Sequence, residues 1–144
     1  MKQWRRYPTI GLVLLGVALP AAGCGGSSGG DSAEPAAIVE DVAGTETSRV
    51  TLSPEAAKRL DIQTAVVKQR AGGTVVPYAA VFYSPSGDTW AYVSTRPRSF
   101  VRERIVVDRV EGDQALLSKG PAVGTKVATV GVAELFGAES GIDQ

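Results

Sequence analysis

The chain has 144 residues, room for one modest domain plus tails, with 44% hydrophobic residues and fifteen Lys and Arg against fifteen Asp and Glu. Lys2, Arg5 and Arg6 belong to an N-terminal export signal, so the remaining chain holds twelve basic residues against fifteen acidic ones. That slightly acidic balance argues against sequence-independent nucleic-acid binding, which needs a basic surface to displace counterions from phosphates. There is no His, and Cys24 is the single Cys, which excludes a Ser-His-Asp triad, a Cys-His pair and the usual zinc sites.

Met1 to Gly23 has the parts of an export signal: Lys2, Arg5 and Arg6 as the positive region, Ile10 to Leu19 as the apolar region, then small residues. The apolar run is shorter than the roughly 20 residues needed to span a bilayer. Leu19-Pro20-Ala21-Ala22-Gly23-Cys24 resembles the bacterial lipoprotein signal motif, in which small residues precede a Cys that is lipidated and becomes the new N-terminus. Ala21 stands where that motif more often has Leu. The resemblance implies signal cleavage after residue 23 and lipid attachment at Cys24. Each buried CH₂ contributes about 0.8 kcal/mol, and stable anchoring takes more than one chain, a condition that a multi-acylated Cys meets.

Residues 24–48 are rich in Gly and Ser, then in Asp, Glu, Ala and Pro, with few large apolar side chains. Such composition predicts a flexible tether with an end-to-end reach of roughly 25–30 Å. Arg49-Val50-Thr51-Leu52 reads as a first strand. Ser53-Pro54-Glu55 reads as a helix start, with Ser as N-cap, Pro at the first helical position and an acid in the first turn. Lys58 and Arg59 suit its C-terminal end, and the helix should stop near Asp61.

Ile62 to Lys68 turns toward strand character and Ala71-Gly72-Gly73 breaks it. Val76 to Tyr83 reads as the anchor strand of the domain, with Pro77 near its start, and pairs across Ser84-Pro85-Ser86-Gly87-Asp88 with Thr89 to Val93 as a hairpin. After a polar loop, Phe100 to Val107 is predicted as one strand, with Val101, Ile105 and Val107 on one face and Arg102 and Arg104 on the other. Gln114 to Ser118 and Val127 to Val130 are further strands, and Glu134 to Phe136 supplies a helical turn before a tail, 137–144. About six or seven short strands with one short helix indicate a mainly β fold, a small antiparallel barrel or sandwich over 49–136.

These residues, in their order and spacing, resemble the C-terminal membrane-proximal domain of periplasmic adaptor subunits, the membrane fusion proteins of resistance-nodulation-division efflux pumps. The resemblance rests on Val76-Pro77, Ala80-Val81, Gly87, Ala91-Tyr92-Val93, Phe100 and its Arg-rich strand, Gly112-Asp113, and the series Gly120, Gly124, Val127, Gly131, Leu135. Val50 to Ser53 and Leu60 to Thr64 are similar to the piece that precedes the hairpin in those adaptors. Asp61 stands where the family usually has Gly, Pro121 for a Leu, Thr125 for an acid and Ala128 for a Val. No stretch is long or helical enough for the lipoyl-like domain and helical hairpin of full adaptors, so the chain is not expected to bridge two membranes. The resemblance implies a partner, an inner-membrane transporter or permease.

Arg96, Arg98, Arg102 and Arg104, with Arg109 close by, are candidate partner-docking residues for an acidic protein or anionic headgroups. Set against this is an ordinary solvated strand face balanced by Glu103, Asp108 and Glu111. Trp90, Tyr92, Tyr78 and Tyr83 are read as core, and Asp88, Asp108 and Asp113 as turn residues. No catalytic constellation, cofactor or metal site is expected. The expected function is that of a membrane-anchored, extracytoplasmic, non-enzymatic lipoprotein, an accessory or adaptor-like subunit of an efflux or export system. The alternative is a ligand- or cell-envelope-binding lipoprotein unrelated to transport.

Overall fold

Residues 34–141 are described by the structure, a computed structural model. The export signal, Cys24 and the tether up to residue 33 lie outside the described residues, as do 142–144.

The first element is a strand, β1 (Ala37–Asp41), inside the stretch expected to be tether. It pairs antiparallel with β2 (Ser48–Leu52), Val39 opposite Val50. Composition missed it because its stability comes from β2's hydrogen-bonding edge and not from its own burial. Helix α1 (Pro54–Arg59) starts as expected: the Ser53 hydroxyl accepts from the Ala56 N–H at 3.1 Å. Asp61 follows with φ of +46°, the left-handed angle that a Gly would take there without strain.

Next come β3 (Gln63–Val66), β4 (Lys68–Arg70) and β5 (Gly73–Pro77). A 3₁₀ turn over Tyr78–Ala80 leads to β6 (Phe82–Tyr83). The long hairpin β7 (Thr89–Arg96) and β8 (Ser99–Arg104) is followed by β9 (Val106–Glu111), β10 (Gln114–Lys119), β11 (Lys126–Val130) and helix α2 (Val132–Ser140). The fold is mainly β, two antiparallel sheets packed as a sandwich. The larger has strand order β1-β2-β8-β7-β11-β3 with β6 on β7, and the smaller β4-β5-β10-β9.

The strand count exceeds the expected one because β1 is unexpected and three predicted strands are each two. Ile62–Lys68 bends at Val67, leaving the larger sheet for the smaller; Phe100–Val107 does the same at Ile105; the anchor strand breaks at its 3₁₀ turn and crosses back. Strands that switch sheets make the corners of a sandwich. Each corner places an apolar side chain in the core and satisfies its backbone locally. Val67 is fully buried, its N–H donating to the Thr125 carbonyl at 2.8 Å while its own carbonyl accepts from Gly124 at 2.9 Å. Ile105 donates to the Thr89 carbonyl at 3.0 Å and accepts from the Thr89 hydroxyl at 2.8 Å. At the third corner Tyr78 donates to the Asp113 carbonyl at 2.7 Å. Gly73 is fixed by contact: a Cβ there would collide with the Leu117 carbonyl oxygen.

Two apolar cores result. One lies between the sheets and joins Val67, Val76, Ile105, Leu117 and Val127. The other lies on the opposite face of the larger sheet, under the helices, and joins Val50, Leu52, Tyr92, Phe100 and Leu135. The adjacent residues Ala91 and Tyr92 serve different cores, as do Val127 and Ala128, so β7 and β11 are buried on both faces and lack polar alternation. Phe82 stacks on Tyr92 with centroids 5.2 Å apart, which turns its neighbour Tyr83 outward. Tyr78 and Tyr83, expected in the core, are 41% and 58% exposed. The expected helical turn is the nine-residue helix α2, which continues into the first residues of the expected tail, ending at Ser140, and brings Glu139 against the sheet.

Candidate functional site

The four expected docking arginines divide into two pairs. Arg102 lies on the helix-covered face of β8, directly opposite Tyr92. Its guanidinium sits 4.8 Å from the Trp90 ring centroid, with Nε 3.1 Å from Glu139 Oε1. That N–H is not aimed at the carboxylate and has no hydrogen-bond partner among the described residues, so the contact is an ion pair only. Arg104 pairs with Asp88 and Arg109 with Asp108 and Glu111. Charge neutralisation within the fold removes these three from a free cationic face.

Arg96 and Arg98 are brought together at the tip of the β7–β8 hairpin. Arg96 pairs with Ser99, so Pro97 and Arg98 form a two-residue turn. Arg98 takes φ of +63°, at a position where Gly or Asn is usual. The turn is docked on the end of β2: the Leu52 N–H donates to the Arg98 carbonyl at 2.9 Å, and Arg98 Nη1 donates to the Leu52 carbonyl at 3.3 Å. Between Ser94 and Arg96 the register slips at Thr95, a bulge of the kind that re-aims side chains.

Lys126, at the start of β11, stands directly opposite Ser94 and joins the two arginines. Together the three cations line a cleft of about 460 Å³ whose other lining residues include Thr64, Ile62, Phe100 and Pro97. No carboxylate lines this cleft, and none of the three cations is in an ion pair among the described residues. Sequence reading missed Lys126, Thr64 and Ile62 because they reach the hairpin tip only through the pairing of β7 with β11 and of β11 with β3. Period-2 alternation along β8 marked Arg102 and Arg104 as one face; it carried no sign that α2 would lay a carboxylate across it.

Chemically the cleft presents N–H donors of three cationic side chains with no carboxylate among its lining residues, an arrangement that can hold an anion. Among the described residues no group of His, Cys, Asp and Glu is arranged to hold a metal ion, and no helix is long and apolar enough to cross a membrane. Cys24, the expected lipid-attachment residue, lies outside the described residues. No family model matches the chain, and neither does any curated protein or solved structure.

Proposed function

We propose that this chain is a membrane-anchored, extracytoplasmic lipoprotein that serves an efflux or export system as an accessory, adaptor-like docking subunit, working by contact and not by chemistry. The observation that carries the reading is the cleft at the hairpin tip, where Arg96, Arg98 and Lys126 stand without an acidic neighbour on a body whose described residues otherwise hold a slight acidic excess. An arrangement of like charges is unfavourable in isolation and becomes favourable when an anionic group of a partner completes it. The sequence adds the lipoprotein-type segment ending in Cys24 and the resemblance to the adaptor domain.

Mass spectrometry of the mature N-terminus, with a pull-down of the lipidated protein from solubilised membranes, tests the proposal. A diacylated or triacylated Cys24 and a copurifying permease are expected. An intact 1–23 segment with a free thiol, or no transporter component under conditions that retain other lipoprotein complexes, counts decisively against it. The concave form of the cleft also favours a second reading, a soluble-ligand or cell-envelope-binding lipoprotein. A permease and ATPase encoded next to this chain support the first reading, and a specific ligand in a thermal-shift screen supports the second.

A further inference from the structure

We infer that the cleft at the β7–β8 tip is a binding site for a phosphate-type oxyanion, a phosphomonoester or phosphodiester group. The inference rests on the reading of this cleft as a docking site and names the chemistry it recognises. Arg96 and Arg98 come from the hairpin and Lys126 from the neighbouring strand β11, so three donors reach one space from separate elements. The oxygens of a tetrahedral phosphate, three terminal ones in a monoester and two terminal with two ester oxygens in a diester, do not share one plane and so can be met by donors from separate elements, whereas the two coplanar oxygens of a carboxylate are satisfied by a single guanidinium fork.

The turn is built at some expense to hold this geometry. Arg98 occupies a left-handed slot that is unfavourable for a non-Gly residue, and backbone outliers of this kind gather at ligand clamps. Its Nη1 donates to the Leu52 carbonyl, which orients the guanidinium, and among the described residues its other N–H groups have no hydrogen-bond partner. The Ser94 hydroxyl donates to the Arg96 carbonyl at 3.2 Å and the Thr95 hydroxyl to the Ser99 carbonyl at 3.4 Å. Those two side chains shape the loop, while Thr64, whose hydroxyl has no hydrogen bond among the described residues, is the remaining hydroxyl residue of the lining. Ile62, half-buried, and Pro97, exposed, give the cleft apolar surface for the part of the ligand that carries the phosphate. A broad membrane-binding field would need a wide basic face; three cations in one cleft of a weakly acidic body suit a discrete group. That group can come from a phospholipid headgroup or from a soluble phosphate ester.

The test is hydrogen exchange on the full chain reconstituted in nanodiscs of zwitterionic phosphatidylcholine, read at the amides of 94–96, 98 and 124–128. Three probes are added in turn: inorganic phosphate, discs containing phosphatidylglycerol, and a Glu-rich peptide. With phosphate at about ten times its dissociation constant, exchange at those amides slows about tenfold, and the effect is lost in the Arg96→Ala/Lys126→Ala variant, whose replaced side chains are exposed. Slowing by phosphate and by phosphatidylglycerol discs assigns the source to a headgroup; slowing by phosphate alone assigns it to a soluble ester. Both support the inference. No response to phosphate, or a response that survives in the double variant, overturns it. A response to the Glu-rich peptide alone overturns the oxyanion assignment while leaving the docking reading intact, and amides inert to all three probes overturn both.

Discussion

The Tyr92 hydroxyl donates to Glu139 Oε2 at 2.6 Å, tying the middle of the larger sheet to the last turn of α2. The same carboxylate accepts from the Ser48 N–H at 3.1 Å and faces Arg102, and its side chain is only 6% exposed. Burial, with the hydrogen bond to Glu139 as the next cause, holds the Tyr92 phenol well above its usual range. It therefore stays protonated, and keeps donating, at every ordinary pH. This contact closes the helix over the second core.

Removing either partner should loosen that closure. Tyr92→Phe is expected to cost about 1.5–3 kcal/mol, the range for a hydrogen bond to a charged group. Glu139→Ala should cost about 3 kcal/mol because it also leaves Arg102 without its counter-ion and the Ser48 N–H without its acceptor. Urea unfolding of the two single variants and the double variant measures the coupling. Additive losses would mean that α2 is held by apolar packing alone.

A second expectation concerns the corner at Ile105. Thr89→Val keeps the side-chain shape but strips the Ile105 carbonyl of its only acceptor bond seen in the structure, and is expected to cost about 1–2 kcal/mol. Thr89→Ser should recover most of the loss. A Val variant with an unchanged urea midpoint would show that the corner does not depend on this bond.

Backbone strain at the hairpin tip can be isolated by comparing two truncations. Arg98→Ala and Arg98→Gly both remove the guanidinium and its bond to Leu52, and differ chiefly in their tolerance of a positive φ. The Gly variant is expected to be more stable than the Ala variant by about 1 kcal/mol, the reverse of the order found at ordinary strand positions. Equal stabilities would contradict the left-handed turn.

Glu103, opposite Ala91 on β8, has its carboxyl raised above the usual value by burial. The folded state thus holds the proton more tightly than the unfolded chain. The favourable contribution is present below the ordinary Glu range and declines as pH rises through the raised value. Because the side chain is only partly withdrawn from solvent, the effect is small. Glu103→Gln should flatten that decline between acid and neutral pH in urea midpoints, with no gain at low pH; an unaltered profile would refute the assignment.

Local chemistry was legible in the residues themselves. Ser53-Pro54-Glu55 specified the start of α1, and Ser84 to Asp88 the turn of the β6–β7 hairpin, because capping and turn formation involve only near neighbours. The mainly β class, the small helix, and the absence of His from any conceivable site also followed from the sequence, as did the segment ending in Cys24. Tertiary structure alone decided where strands bend. Val67 and Ile105 look like any apolar strand residue, and only the presence of a second sheet makes each a corner. It alone recruited β1, whose partner edge lies on β2, and it divided the arginines. Arg102 was neutralised by a carboxylate on a helix at the far end of the chain, while Lys126 was carried beside Arg96 and Arg98 by strand pairing. Charge along a strand is a property of sequence, but whether that charge is free depends on what the rest of the chain lays across it.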